Sequence, residues 1–356
     1  MLRRSFALAV ASCAALLPFG LAVAGDGVTL SGPAVHANLA VYLVHSANAQ
    51  GSAPTSLQEA LAAGQVKIRE TGSVNELTVE NVGDNEVFVQ AGDIVKGGQQ
   101  DRVLSLDLLL PPHSRRVSLA AFCVEAGRWT ARGVEDAKQF SAAVASMPSP
   151  EANRALRAYA TAAQSSLPVG ALHSTPSAAN LGAATAERQA QIWADVQKTQ
   201  DRLSRSLGAP VAAPASPSSL ELSLENENLK AMQADYIGAL QSVGEAGDDV
   251  VGYVFAIDGR IVGGDIYRSN ALFRKMWPKL LTAAVTEAIA EKDAAGAAAP
   301  SLASAQDFLT AAERAPESVR SLDAGVRLAT RDGDGALYAE TQRRDGAWVH
   351  RNYLAK

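Results

Sequence analysis

The stretch VVGYVFAIDGRIVGGDIY, residues 250–267, leaves little freedom for what surrounds it. Two β-branched and aromatic runs flank Asp258-Gly259, a dipeptide suited to a two-residue type I′ turn whose central residues both need a left-handed backbone. A β-hairpin over 250–257 and 260–267 follows. Directly after it, Ser269 is placed to cap a helix. In NALFRKMWPKLLTAAVTEAIAEK, apolar pairs recur every four residues: Leu272/Phe273, Met276/Trp277, Leu280/Leu281, Ala284/Val285 and Ala288/Ile289. A hairpin followed by an amphipathic helix is core architecture.

The rest of the chain sorts into blocks. Residues 25–133 form a β-rich region, with strand-like segments such as LAVYLVH, VKIRE, NELTVENV, EVFVQ, RVLSLDLLL and RVSLAAFCVE separated by turn residues. Residues 134–300 read as helical apart from the hairpin. DAKQFSAAVAS and EANRALRAYATAAQ are alanine-rich, and AERQAQIWADVQKTQDRLSRSL carries Trp193, Val196, Leu203 and Leu207 in one stripe with Gln200. GAPVAAPASPSS (208–219) is a Pro/Ala/Ser connector. Residues 301–356 add a short helix near 303–313 and an antiparallel meander of AGVRLAT, ALYAETQ and AWVHRNYL. Strands early, helices in the middle and strands late predict an α+β fold packed as one compact unit rather than alternating α/β.

The first 24 residues stand apart. Arg3-Arg4, a long apolar stretch and Ala22-Val23-Ala24 make up a signal peptide with a small-x-small cleavage site. Arg3-Arg4-Ser5-Phe6 also resembles a twin-arginine start, so both export routes stay open. The mature protein is expected to be exported, periplasmic or secreted, with no membrane span after cleavage and few contacts between residues 1–24 and the body. Loss of Arg3 and Arg4 takes the formal charge from −5 to −7, and loss of Cys13 leaves Cys123 alone, so no internal disulfide forms. No basic run interleaves with aromatics, which argues against nucleic acid as a partner.

Motifs for phosphate loops, dinucleotide binding, zinc proteases and serine nucleophiles are missing. The five histidines are scattered without ligand spacing, so neither a metal nor a cofactor is expected. What remains is AGDIVKGGQQDRVLSLDLLLPPHS and RRVSLAAFCVEAGRW. Each places polar residues at a strand end that strand formation does not require. If 102–110 and 115–123 pair as an antiparallel hairpin, Arg102 faces Cys123 and Gln100 faces Glu125. Arg102 and Glu125 then become diagonal neighbours on the buried face. The candidate binding residues are Gln99, Gln100, Asp101, Arg102, Glu125, Arg128 and Trp129; the candidate catalytic residues are Glu125, Asp101 and Cys123.

Gly92-Asp93, Gly97-Gly98-Gln99-Gln100-Asp101-Arg102, Cys123-Val124-Glu125 and Gly127-Arg128-Trp129, with Gly252–Asp265 and SNALFRKMWPKLL, resemble the family named for its association with ADP-ribosylglycohydrolase and rhodanese-phosphatase proteins. That family is a domain of unknown function, so the resemblance implies no catalytic residues. Three readings follow from the residues themselves. The first is an exported protein binding a small polar ligand, or an envelope accessory, through the Gln99–Arg102 and Glu125–Trp129 cluster. The second is a hydrolase of a nucleotide-sugar, glycan or peptide, with Glu125 or Asp101 as acid/base. In the third the Gln-Gln-Asp-Arg segment is only a loop staple. N-terminal sequencing of the protein recovered after export should begin at or near Gly25; a chain that retains Arg3-Arg4 overturns the export reading.

Overall fold

The computed structural model describes residues 22–23, 27–47, 52–128, 139–165, 178–292, 296–322 and 326–356. The chain opens with β1 (Ala22–Val23), β2 (Val28–His36) and β3 (Leu39–Ser46). Next come β4 (Thr55–Ser56), α1 (Leu57–Ala62), β5 (Val66–Glu70), β6 (Glu76–Asn81) and β7 (Val87–Val89). They are followed by β8 (Asp93–Gly97), β9 (Arg102–Leu104), β10 (Leu108–Leu110), β11 (Val117–Cys123) and β12 (Phe140–Ser146). Helices α2 (Pro150–Ser165), α3 (Ala178–Leu207), α4 (Leu220–Leu224) and α5 (Glu227–Glu245) precede the hairpin β13 (Val250–Ile257) and β14 (Arg260–Tyr267). Then come α6 (Asn270–Ala290), α7 (Leu302–Arg314), β15 (Glu317–Ser321), β16 (Val326–Asp332), β17 (Ala336–Arg343) and β18 (Trp348–Ala355). The fold is α+β with mainly antiparallel sheets.

Among the described residues, a nine-stranded sheet runs β1-β2-β3-β13-β14-β18-β17-β16-β15, so it takes strands from both ends of the chain and from the central hairpin. The hairpin closes as expected: Ile257 pairs with Arg260, and Asp258 (φ 46°) and Gly259 (φ 74°) adopt the left-handed conformation of a type I′ turn. Ser269 caps α6 by accepting from the Leu272 amide. Ala22 and Val23 pair with Leu30 and Thr29, so the residues just before the expected cleavage site do contact the body. A six-stranded sheet, β12-β8-β9-β11-β6-β5, and a three-stranded one, β10-β7-β4, form the second half of the molecule.

Two expectations are corrected. Residues 140–146 form β12, paired with β8 in the register Phe140↔Gly97, instead of the helix that their alanine content suggests. Pairing with a waiting strand outweighs a weak intrinsic preference, and Ala143 and Ala145 bury alternate positions as a strand does. Residues 136–138 lie outside the described residues. The second correction concerns the hairpin expected over 102–110 and 115–123. β9 does pair with β11, Arg102↔Cys123 and Leu104↔Ala121, in the expected register. After Ser105 the chain departs: β10 pairs with β7, and Val117–Ala120 pair with β6. Ser105 donates its hydroxyl to Ala120 O, and Asp107 is drawn to the Ala91 amide, away from β11.

α6 is the central helix. It packs on β12, β13, α3 and α5, and Phe273, Met276, Trp277, Leu281, Val285 and Ile289 are fully or almost fully buried. Trp277 lies against Gly244 of α5 and donates its indole N–H to Gln241 O. A Cβ on Gly244 would fall 2.3 Å from Trp277 Cε2. Gly244→Ala should therefore destabilise the protein by about 1–3 kcal/mol, despite the better helix propensity of alanine. Urea unfolding of the variant measures this, and a gain in stability would contradict the packing.

Candidate functional site

The polar cluster forms where β8 turns into β9. Gly97 (φ 120°) and Gly98 (φ 60°) have backbones that favour glycine, and β12 lies directly over them: a Cβ on Gly97 would sit 2.4 Å from Gln139 O. Beyond the turn the register continues, with Val124 N donating to Asp101 O and Gln100 Nε2 donating to Glu125 O. Gln99 N donates to Glu70 Oε1, and Arg102, fully buried, donates to Gln100 O and reaches Glu70 at 3.5 Å. Arg128 lies 2.7 Å from Glu125 and 3.7 Å from Asp101. Trp129 falls outside the described residues.

These groups also hold the connector. Ser219 Oγ donates to Asp101 Oδ2, Ser216 Oγ to Glu125 Oε1, and the Leu220 amide to Val124 O. From α3, the Gln189 side chain binds both the N–H and the carbonyl of Cys123, while Gln200 Nε2 donates to Pro217 O, Ser219 O and Ser223 Oγ. Burial, together with Glu70 and Glu125 and against the opposing Arg102 charge, pushes the Cys123 thiol up to about 11. At neutral pH it stays protonated, unlike an activated nucleophile. The structure thus brings Gln100, Asp101, Arg102, Glu125 and Arg128 together, in contacts that fasten strand ends and connector.

A second buried network escaped the sequence reading. His350 of β18 has no exposed surface; Nδ1 lies 2.7 Å from Asp107 Oδ2 and Nε2 lies 3.0 Å from Asp265 Oδ1. Its ring stacks on Tyr267 at 4.7 Å. Asp107 also accepts from Thr341 Oγ1 and pairs with Arg157, and Asp265 accepts from Asn352 Nδ2 and Gln90 Nε2. Burial opposes a charge on the imidazole, but Asp107 and Asp265 outweigh it and raise the His350 pKa above its ordinary value. Burial likewise opposes the Asp107 charge, yet His350 and Arg157 hold its carboxyl well below the usual range. A signal existed: Asp107 in LSLDLLL and Asp265 in VGGDIY interrupt apolar strands, as a buried acid must when a partner awaits it.

Beside this network a cleft opens between α2, α6 and the ends of β14 and β18. Its inner chamber, about 60 Å³, is walled by Arg157, Asp265, Asn352 and Ser146. Pro150 and Val262 also border an outer cavity of about 290 Å³, near the lower end of the range that holds small ligands. Glu151, Arg154, Arg202, Arg260, Glu287 and Lys356 line that outer cavity. Arg202 stands among three carboxylates: 3.6 Å from Glu287 Oε1, 3.8 Å from Glu151, and bonded to Glu291. Glu287 Oε2 is buried, and no described residue hydrogen-bonds to it. Burial, with Glu151 and Glu291 nearby, pushes the Glu287 carboxyl up to about 8. Burial acts on Glu151 in the same sense, but a backbone hydrogen bond, Lys198 and Arg202 outweigh it and hold Glu151 below the ordinary value. No group of three or more His, Cys, Asp or Glu among the described residues could hold a metal ion. No helix among them is long and apolar enough to cross a membrane.

His350→Gln should cost about 3–5 kcal/mol near pH 6, because it leaves the buried Asp265 without its cation and Asp107 with Arg157 alone. The folded protein binds the His350 proton more tightly than the unfolded chain does. Its contribution is therefore complete below the unfolded value of 6.5 and lost as pH rises through the folded one. Denaturant unfolding of both proteins at several pH values should show the gap narrowing as pH rises; a gap that widens would refute the charge assignment.

Compared with curated proteins and with solved structures, the chain matches none. The family model for the ARG and Rhodanese-Phosphatase-superfamily-associated Protein domain matches residues 27–354, which include both polar networks and nearly all the cleft. The chain belongs to that family, the ARPP-1 domain proteins.

Proposed function

We propose that this is an exported protein that binds a small polar molecule in the cleft over Glu287. The observation that carries the reading is Glu287 itself. It stands in the cavity wall with Oε1 toward Arg202, among carboxylates that with burial keep its proton on. Groups with strongly shifted protonation inside a cleft are favoured places for ligands. The Gln99–Arg102 and Glu125–Arg128 cluster supports a different role, because the side chains of Gln100, Asp101, Arg102, Glu125 and Arg128 bond one another, nearby backbone and the connector. On this reading the cluster is the staple that keeps α3, and with it Arg202, over the cleft.

A hydrolase acting on a nucleotide-sugar, glycan or peptide is the second reading, and one observation favours it. Glu287 holds its proton while Glu151 loses its own readily, and both face Arg202. Two carboxyls with protonation pushed apart are the arrangement that general acid/base chemistry uses. On that reading Glu287 is the acid and Glu151 the base, in place of Glu125 and Asp101.

Untargeted mass spectrometry of small molecules co-purifying with the mature protein tests both readings. A ligand should be present in the wild type and in Arg102→Ala that still folds, and absent from Glu287→Ala. Accumulating product in place of a retained ligand would favour the hydrolase. Loss of the ligand from folded Arg102→Ala, with retention in Glu287→Ala, would return the site to the Gln99–Arg102 cluster.

A further inference from the structure

We propose that Ser31, His45 and Asp249 form a serine esterase site at the margin of the nine-stranded sheet, acting on esters of small, unhindered acyl groups. The site shares no residue with the cleft or with either buried network, and it does not rest on the binding reading. Ser31 Oγ lies 2.7 Å from His45 Nε2, and His45 Nδ1 lies 3.1 Å from Asp249 Oδ2. The Asp249 carboxylate only accepts, so Nδ1 carries the ring proton and Nε2 keeps its lone pair for the Ser31 hydroxyl. A hydroxyl on one ring nitrogen and a carboxylate on the other is the arrangement that lets an imidazole serve as general base to a nucleophile. The three residues come from distant parts of the chain, so no local motif announces them.

Strand pairing places the groups. Thr29 faces His45 and Ser31 faces Leu43, which makes Ser31 and His45 diagonal neighbours on one face of β2 and β3. On the opposite face Leu30, Tyr42 and Val44 pack with Ala305 and Leu309 of α7. Asp249 arrives beside His45 because Val250 pairs with His45 and the Ser46 amide donates to Asp249 O. The loop before it is fastened to α6: Asn270 Nδ2 donates to Val250 O, and Arg274 donates to Glu245 O and Gly247 O. Directly after Ser31 the pairing with β3 shifts at Gly32-Pro33, where Gly32 has φ 104° and a Cβ would meet Val41 O at 3.0 Å. Bulges of this kind re-aim side chains beside active sites. β1 pairs only with Thr29 and Leu30, so from Ser31 onward the outer edge of β2 meets no strand among the described residues. An open edge offers backbone N–H groups, the donors that an acyl oxyanion needs.

In the first step Ser31 Oγ adds to the acyl carbon while its proton passes to His45 Nε2. The bond to the alcohol oxygen then breaks as His45 returns that proton to the leaving oxygen. Water adds to the Ser31 ester and gives a proton to His45; the acid departs and the proton goes back to Ser31 Oγ. Ester and water become acid and alcohol. With Asp249 54% exposed, the site is open to water and grips little of its substrate, which favours unhindered esters over amides.

Fluorophosphonate labelling with peptide mass mapping tests the nucleophile, and hydrolysis of p-nitrophenyl acetate tests the turnover. The adduct should lie on Ser31, and Ser31→Ala that still folds should lose both labelling and hydrolysis. His45→Gln should slow both about 100-fold, the lower range of general-base catalysis. Asp249 acts through His45 as a positioning residue, so Asp249→Asn should lower kcat about tenfold with KM unchanged, less than for a buried triad aspartate. If Ser31→Ala does not fold, the wild-type adduct and the Asp249→Asn kcat decide. A string of hydrogen bonds with only a structural role would leave Ser31 unlabelled and hydrolysis equal in wild type and variants; either result overturns the proposal. An adduct on another serine would also overturn it. So would hydrolysis kept in Ser31→Ala and lost from Glu287→Gln, which would move the chemistry to the cleft.

Discussion

His350, without exposed surface, joins Asp107 to Asp265 and so ties together parts of the molecule that pair separately. Asp107 lies between β9 of the six-stranded sheet and β10 of the three-stranded one; Asp265 and His350 lie on neighbouring strands of the nine-stranded sheet. A buried charge is tolerated only where partners wait for it, so this contact dictates where the halves can meet. It also accounts for the path of the chain after Arg102. Asp107 accepts from the Ala91 amide, Thr341 and His350, and the leucines that follow it run beside β7 instead of β11.

The cleft follows from the same network. Arg157, anchored on Asp107 and Asn352, brings the start of α2 over the ends of β14 and β18. α6 covers the neighbouring face, and the gap between the two helices is where Glu287 and Arg202 face each other. α3 supplies Arg202 because its own glutamines are fixed elsewhere: Gln189 on the backbone of Cys123, Gln200 on the connector. The Gly-Gly-Gln-Gln-Asp-Arg turn thus acts on the cleft at a distance, by holding what α3 rests on. That chain of contacts gives the turn a reason to be polar that does not require it to touch a ligand.

Much of the local structure was legible in the sequence. Asp258-Gly259 could hardly be anything but a tight turn, Ser269 could be read as a cap, and the four-residue pairs announced the buried face of α6, because each depends on backbone conformation or on spacing along one element. Pairing of Arg102 with Cys123 was legible too, from alternation and one assumed turn. The candidate site was legible only as composition: the polar residues of the first cluster do meet, but Arg102 reaches Glu70, twisted in from β5, and Arg128 is the cation against Glu125.

What the sequence by itself determined was therefore a set of features fixed within one element or between strands close in the chain: the hairpin, the capped central helix, the closing meander and the α+β class. Only the tertiary structure decided that 140–146 would be a strand, that β10 would abandon β11, and that His350 and Glu287 would be buried among charged groups. The physical reason is range. Propensity and periodicity act over a few residues. The charge state of Glu287 depends on Glu151 and Arg202, and that of His350 on Asp107, groups far away in the chain that only the packed fold sets beside them.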